Sequence, residues 1–193
     1  MKNILIINCS PKIKGNTQCM IDFFKENVVA NIKEIRLFPD LKQGKGILPC
    51  LDCGGCIKKE GCIIEDCFKD IIDDVYDIVV FAAPIYMSNL PGPAFNLISR
   101  FNFVYNNKIY LNMKRKFKEK KGIVFLVGGG EASKKLMGES NDDLPMRQIK
   151  YIFSKMNVSV NEEYIIKCLN TDEVSIKENE MIENKIIRIA KGI

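Results

Sequence analysis

The alternation of short apolar runs with amphipathic stretches constrains the fold of this sequence more than any other feature. Residues 2–8, 77–82 and 122–127 are almost continuously apolar, which is typical of strands buried on both faces of a parallel sheet. Two more strands are predicted, and amphipathic helices lie between the strands. The predicted strands are 2–8, 32–38, 77–82, 122–127 and 158–166, and the predicted helices are 16–29, 67–75, 93–104, 142–155 and 175–191.

This order of elements predicts an α/β protein built as a three-layer sandwich. Right-handed crossovers between its strands favour a five-stranded parallel sheet in the order 2-1-3-4-5. The length of 193 residues suits a single domain over residues 1–193. One long segment without periodicity, 39–66, interrupts the alternation and holds four of the eight cysteines. A loop of this length in a compact domain is usually functional.

Composition excludes several kinds of chemistry. The chain has no histidine, which rules out Ser-His and Cys-His nucleophiles and every His-ligated metal. No apolar run approaches the length of about 18 residues that a membrane span needs. Eight cysteines without a secretory signal predict a cytoplasmic protein with metal or redox chemistry in place of disulfides. The basic run 114–121 and the aspartates near residue 75 are interpreted as solvated surface, so no nucleic-acid or membrane partner is expected.

The segment after the first predicted strand has the character of a phosphate site. Residues 9–17 read Cys-Ser-Pro-Lys-Ile-Lys-Gly-Asn-Thr, with two hydroxyls, an amide and a glycine just before a helix. Backbone N–H groups at a helix N-terminus attract anions. The pattern is neither a Walker A loop nor the G-x-G-x-x-G fingerprint, which disfavours ATP and a standard NAD fold. The polar residues could equally be caps of a turn and a helix.

Two later segments predict a flat ring next to that phosphate. A proline-bounded loop with Ile85, Tyr86 and Met87 follows the third strand, and three glycines, 128–130, follow the fourth. Ligands in open α/β sheets bind beyond the carboxyl ends of the strands, so these loops are expected to share one pocket. Flavin mononucleotide (FMN) has the required phosphate and planar ring.

With Ser10-Pro11, Gly15-Asn16-Thr17 and Pro84-Ile85-Tyr86, the sequence resembles the NAD(P)H-dependent FMN reductase and iron-sulfur flavoprotein group of the flavodoxin-like superfamily. The resemblance covers roughly residues 1–130. It implies the flavodoxin-like fold and a phosphate site and ring site for FMN. By the resemblance, the phosphate residues are Ser10, Lys12, Asn16 and Thr17, and the ring residues are Pro84, Ile85, Tyr86, Met87, Gly128, Gly129 and Gly130.

The same resemblance implies further properties and shows one departure. It implies a homodimer or homotetramer in which a subunit interface completes the flavin pocket. Where the family usually has glycine before the Ser-Pro pair, this chain has Cys9, whose side chain is expected to narrow the pocket. Tyr86 is the one pocket hydroxyl expected to act as a proton or hydrogen-bond donor, because the flavin itself carries the reaction.

The cysteines of the long loop form a C-x2-C-x2-C-x5-C pattern: Cys50, Cys53, Cys56 and Cys62. Four thiolates, three of them closely spaced, are what a 4Fe-4S cluster requires, and the pattern resembles the cluster motif of the iron-sulfur flavoproteins. Structural zinc more often uses two separated C-x2-C pairs. Free or redox-active thiols remain an alternative, since similar loops occur in flavin reductases without a cluster.

The remaining cysteines have simpler interpretations. Cys67 lies at a predicted helix start, where a thiolate would be stabilised, and is interpreted as a local thiol. Cys9, Cys19 and Cys168 are expected to be buried small hydrophobic residues.

Together these patterns predict an FMN-dependent oxidoreductase. With a 4Fe-4S cluster it would pass electrons between the cluster, FMN and a redox partner such as a ferredoxin. Without a cluster it would be an NAD(P)H-dependent reductase of quinones, nitro compounds or free flavin. A third hypothesis is a non-enzymatic module that senses redox state or metal.

Overall fold

A computed structural model describes residues 1–39, 46–130, 135–136, 138–172 and 175–193. Its strands are β1 (Lys2–Asn8), β2 (Ala30–Arg36), β3 (Ile78–Pro84), β4 (Lys120–Val127), β5 (Lys135–Leu136), β6 (Glu139–Ser140), β7 (Val158–Ser159) and β8 (Ile165–Cys168). Its α-helices are α1 (Asn16–Asn27), α2 (Phe68–Ile71), α3 (Gly92–Arg100), α4 (Asn102–Tyr110), α5 (Asp143–Lys155) and α6 (Glu180–Lys191). None of the helices in the described ranges is long and apolar enough to cross a membrane.

The main sheet is parallel and has the order β2-β1-β3-β4-β7, with β8 pairing further along β4. This confirms the predicted flavodoxin-like order 2-1-3-4-5. The loops that follow β1, β3, β4 and β8 therefore leave the same edge of the sheet, which is where open α/β folds place their ligands.

Both faces of the sheet are covered, as the continuous apolar strands predict. On β1, Leu5 and Ile7 belong to one core cluster, whereas Ile4 and Ile6 belong to the other, because successive strand residues point to opposite faces. The first cluster includes residues of α2, α3, α4 and α5, and the second includes residues of α1 and α6. Two helical layers thus fix the sheet.

The predicted last strand, 158–166, is wrong in one respect, because it is two strands. Lys120 pairs with Val158, but Val124 pairs with Ile165, so β4 advances four residues while its partner advances seven. The three extra residues are absorbed in a bulge that contains the short 3₁₀ turn Glu162–Tyr164. Glu162 and Glu163 are exposed there, which explains why this point tolerates interruption.

The predicted helix 93–104 is also divided. A helix ends at Arg100 and another begins at Asn102. Phe101 and Phe103 are both buried, and both rings pack edge-on against Phe68, with centroid distances of 5.5 and 5.7 Å. Residues two apart face nearly opposite sides of a straight helix, so burying both on one ring requires the break.

The charged segments before β3 and before β4 pair with each other, and their interpretation as solvated surface is wrong for Lys120, which is buried. Lys120 is 2% exposed and forms an ion pair with Asp74, and Lys118 pairs with Asp77 at 3.1 Å. The predicted helix 67–75 is shortened to α2, which leaves these aspartates free to reach the basic run.

Candidate functional site

A cavity of about 280 Å³ opens at the carboxyl edge of the sheet. It brings together eight of the predicted cofactor residues, which come from the loops after β1, β3 and β4. These residues are Ser10, Lys12, Asn16, Thr17, Pro84, Ile85, Tyr86 and Gly129. The remaining lining residues, which the sequence analysis did not select as site residues, are Gly15, Val127, Thr171 and Asp172.

The first loop presents an uncapped helix terminus to this cavity. The residue before α1, Gly15, has an extended backbone, and among the described residues no side chain caps the first turn. The first backbone bond of the helix runs from Cys19 N to Gly15 O. The capping role considered from sequence for Asn16 and Thr17 is therefore not observed, and an anion in the cavity would meet backbone donors of the first turn.

Arg36, at the end of β2, holds the first loop from outside the cavity. Its Nη2 donates to the carbonyls of Ser10 and Lys12 at 2.9 and 3.1 Å, and its Nη1 donates to Gln18 at 2.8 Å. The backbone N–H of Ser10 donates to the Asn8 side chain at 3.1 Å. Because these two carbonyls are engaged by a guanidinium, the loop is fixed in one conformation beside the helix terminus.

The loop after β3 is a tight turn from Tyr86 to Asn89, closed by backbone hydrogen bonds of 2.9 and 3.0 Å. Its two central residues, Met87 and Ser88, have φ values of 49° and 58°, a region that non-glycine residues rarely adopt. A backbone in this region is strained, and strained residues of this kind are concentrated at functional sites. The turn is tied down where the Ser88 hydroxyl donates to Asn141 at 2.8 Å.

Tyr86 and Met87 differ in their relation to the cavity. The Tyr86 ring lines it, whereas Met87 is 87% exposed and lies outside its lining. Partial burial raises the pKa of Tyr86. The phenol therefore keeps its proton at neutral pH and can donate a hydrogen bond.

The glycines after β4 pack against the loop that follows β8. Thr171 N donates to Gly128 O at 3.0 Å, and Asn170 N donates to Gly130 O at 3.2 Å. A Cβ on Gly129 would collide with the Asp172 carboxylate. Of the three glycines only Gly129 lines the cavity, and the adjoining residue of the predicted loop, 131, lies outside the described residues.

Thr171 and Asp172 could have been suspected from their position. They follow the last predicted strand, and polar residues after a strand of a parallel sheet lie at its ligand-binding edge. The strand was predicted to end at residue 166, but β8 ends at Cys168. The residues after it were therefore not recognised as part of the ligand-binding edge. Asp172 is exposed and puts an acid in the same cavity as Lys12.

Cys9 does not narrow the cavity, contrary to the expectation from sequence. Its side chain is fully buried in the first core cluster and is not part of the cavity lining. Burial raises the pKa of its thiol to about 12. Of the other two cysteines expected to be buried, Cys168 is buried, but Cys19 is only half-buried.

The cysteine loop forms a second site beside α3 and α4. Cys50, Cys53, Cys56 and Cys62 all line one cavity, together with Arg100 and other residues of the loop and of α4. All four are free thiols, and Cys53 is exposed. The predicted segment 39–66 therefore folds so that its four cysteines share one cavity, although residues 40–45 lie outside the described residues.

Buried polar side chains fasten this loop to the domain. The Asn107 side chain donates to the carbonyl of Cys56 at 2.6 Å and accepts from Gly61 N at 2.9 Å. Arg100 forms a fully buried ion pair with Asp66 at 2.6 Å. The Asn106 amide donates to the Cys56 sulfur at 3.2 Å.

The four thiols of this cavity are donors that either a single metal ion or an iron-sulfur cluster would use. Within the described ranges, no group of three or more His, Cys, Asp or Glu side chains is close enough to hold a metal ion. A cluster spreads its thiolates over the corners of a cube, further apart than the ligands of one ion. The cavity has a volume of about 20 Å³, room for about one water molecule, so a cluster would require the thiols to move outward.

Cys67 departs from its prediction. It precedes the four-residue helix α2, but its thiolate is not stabilised there. Burial and the neighbouring Asp66 carboxylate raise the pKa of this thiol to about 11.

Comparisons with known proteins agree with the fold. Residues 2–149 match the family described as NADPH-dependent FMN reductase. The iron-sulfur flavoprotein of Methanosarcina thermophila is 34% identical over 71 residues, which cover 33% of this chain and 37% of that protein. The chain thus spans little more than a third of the length of this curated relative.

Solved structures of flavin enzymes have the same fold. The NAD(P)H:quinone oxidoreductase from Methanothermobacter marburgensis superposes with a TM-score of 0.63 at 13% identity, covering 99% of this chain and 96% of that one. An FMN-dependent NADH-azoreductase from Bacillus anthracis, solved in complex with FMN, superposes with a TM-score of 0.60 at 14% identity, covering 100% of this chain and 97% of that one. With the family match over most of its length, this chain belongs to the NADPH-dependent FMN reductase family.

Proposed function

We propose that this protein binds FMN in the cavity at the carboxyl edge of the sheet, holds a 4Fe-4S cluster in its cysteine loop and passes electrons between the two and a redox partner. The observation that carries the proposal is the shared cavity of Cys50, Cys53, Cys56 and Cys62 in a chain of this flavin enzyme family. The partial similarity to an iron-sulfur flavoprotein supports it. Membership of an enzyme family sets aside the non-enzymatic sensing hypothesis.

Different residues of the cavity would bind the phosphate and the ring of FMN. The uncapped first turn of α1, with Ser10, Lys12, Asn16 and Thr17, would hold the phosphate by hydrogen bonds and charge. Pro84, Ile85 and Tyr86 would pack against the ring, and Gly129 would let the backbone approach it. FMN, when bound, supplies the redox chemistry, because it exchanges electrons singly or in pairs.

Met87, Gly128 and Gly130 would have supporting roles. Gly128 and Gly130 hold the loop after β8 beside the cavity through their carbonyls. Met87 is exposed at the rim next to Tyr86, so the ring end of the cavity has an open side. A second subunit would cover that side, and we propose a dimer or tetramer, which light scattering would show and a monomeric mass would contradict.

The cysteine loop can be tested by cluster reconstitution without oxygen. The wild type should take up about four irons and four sulfides per chain. Cys56→Ser should lose most of this iron, because the variant removes a ligand of the cluster. The matched control is Cys19→Ser, a half-buried thiol on α1 far from the loop in sequence, which should load like the wild type.

A second candidate is an NAD(P)H-dependent reductase of quinones, nitro compounds or free flavin, with free thiols in the loop. The small volume of the cysteine cavity favours it, as does the family's own description. The electron donor separates the two candidates. The cluster-bearing protein should bleach with reduced ferredoxin and scarcely with NAD(P)H, whereas rapid bleaching by NADPH alone would favour the second candidate.

A further inference from the structure

One buried side-chain nitrogen in the described part of the chain has no hydrogen-bond partner, and it belongs to Arg100. The side chain is fully buried, yet its Nε–H is unpaired. Leaving a buried donor without an acceptor is unfavourable, because the donor has lost its hydrogen bonds to water. An unpaired donor in an otherwise well-bonded side chain indicates a missing acceptor.

The two other nitrogens of Arg100 both donate hydrogen bonds. Nη1 donates to Asp66 at 2.6 Å and to Leu48 O at 3.1 Å, and Nη2 donates to Ile64 O at 3.1 Å. The guanidinium also lies over the Phe68 ring, 4.6 Å from its centroid. These contacts fix the plane of the group, so that Nε cannot turn away to find a partner in the core.

Arg100 lines the cavity that all four loop cysteines share. Sulfur atoms of thiolates and inorganic sulfides are hydrogen-bond acceptors, and such bonds tune the reduction potential of a cluster. Since Asp66 balances the guanidinium charge, the effect of Arg100 would come chiefly from the N–H dipole.

We propose that Arg100 is a positioning residue whose Nε–H donates to a sulfur atom of the cluster and makes the cluster easier to reduce. The inference rests on the proposed function, because it needs a cluster in the cysteine cavity. It goes beyond that function by naming the donor that sets the cluster's potential.

The test is a redox titration of the cluster followed by electron paramagnetic resonance. Arg100→Lys keeps a positive charge opposite Asp66 but removes the Nε–H. We expect the equilibrium constant for cluster reduction to fall about tenfold, a shift of about 59 mV to more negative potential for a one-electron couple. A purely structural role would lower the iron content and leave the potential of the remaining clusters unchanged, and that result would overturn the inference.

The matched control is Arg115→Lys. Arg115 also lies over an aromatic ring near the loop, 5.8 Å from the centroid of Phe103, and donates to the backbone of Ile72 at 3.0 Å. It is not part of the cavity lining. Its replacement should leave the cluster potential at the wild-type value.

A measurement on the wild type avoids any dependence on how the variant folds. Protein labelled with ¹⁵N only in the arginine guanidinium groups is reduced, and pulsed electron paramagnetic resonance is used to detect coupling of the cluster spin to ¹⁵N. A coupling supports the inference, and its absence from a fully loaded cluster overturns it. If the wild type takes up no iron at all, the proposed function itself fails, which is a different and recognisable outcome.

Discussion

The thiol of Cys9 lies in the core between β1 and the start of α3, close to the backbone N–H of Ala94. From sequence it belonged with the phosphate loop, because it follows β1 directly. The alternation of a strand carries it to the core face instead, as it does Leu5 and Ile7. A shift of one position along the chain would therefore be enough to change the face of the sheet to which this side chain points.

The buried Cys9 thiol should make the protein sensitive to alkaline pH. Its pKa is about 12 in the folded state, against 9.0 as the ordinary value. Since the unfolded chain releases this proton first, stability is unaffected below pH 9 and falls as the pH rises toward 12. The free energy of unfolding should drop by about 2–3 kcal/mol more between pH 9 and 11 in the wild type than in Cys9→Ala.

Urea unfolding at pH 7, 9 and 11 measures this difference. Lysines and tyrosines also titrate in this range, but they do so in both proteins. Their contribution therefore cancels when the free energies of unfolding of the wild type and Cys9→Ala are subtracted. If the wild type and Cys9→Ala lost the same free energy of unfolding as the pH rises, the pKa of Cys9 would not be raised in the folded state.

Tyr86 should affect turnover more than cofactor binding. Its ring lines the FMN cavity, and its raised pKa keeps the hydroxyl protonated. In Tyr86→Phe the ring remains but the donor is lost, so kcat should fall about tenfold, the value of one lost hydrogen bond. Steady-state kinetics and an FMN titration separate the two effects, and an unchanged kcat with weaker FMN binding would assign Tyr86 to packing alone.

At the scale of elements, the close packing of β4 against α5 depends on Gly122. A Cβ there would lie 2.7 Å from a Phe153 ring carbon and 3.0 Å from Ser159 O. Gly122→Ala should therefore destabilise the fold by about 1–3 kcal/mol through overpacking. The matched control is Gly92→Ala at the start of α3, where a Cβ would meet no atom within 4 Å.

Thermal unfolding of the two glycine variants gives the answer. We expect Gly122→Ala to have the clearly lower Tm and Gly92→Ala to stay near the wild type. Equal Tm values for the two would mean that β4 and α5 are not packed as described.

The phosphate loop depends on its external support from β2. Arg36→Met removes the donors that hold the carbonyls of Ser10 and Lys12. FMN affinity should fall about tenfold, because two charge-assisted hydrogen bonds that order the loop are lost. Quenching of FMN fluorescence measures this, with Arg147→Met as the control, since Arg147 pairs with Glu139 away from the cavity.

The sequence predicted the positions of strands and helices better than the points at which a predicted strand or helix is interrupted. Continuous apolar strands and the glycine-rich loops after them were sufficient to predict the sheet order and eight residues of the cavity lining. The division of 93–104 could not be predicted, because it arises from Phe101 and Phe103 packing on Phe68, which is distant in the chain. Arg36 and Arg100 were missed for the same reason, since their partners are brought near only by the fold.

At the scale of the whole molecule, the described part of the chain has two candidate sites. The cavity proposed to bind FMN lies at the carboxyl edge of the sheet, and the cysteine cavity is lined by α3, α4 and the loop before α2. The first sheet-covering cluster contains residues of β3 and α3 and has Cys56 and Cys62 packed against it. The same buried cluster thus packs against both candidate sites, which suits the electron transfer that we propose between them.

The most direct test of this account is the visible spectrum of protein purified without oxygen, with FMN, iron and sulfide assayed on the same sample. We predict two flavin bands over a broad brown shoulder, about one FMN per cavity and about four irons per chain. Flavin bands without iron would contradict the cluster and leave the NAD(P)H-dependent reductase with a thiol-bearing loop. A colourless protein that cannot be loaded with FMN would contradict the assignment of the cavity itself.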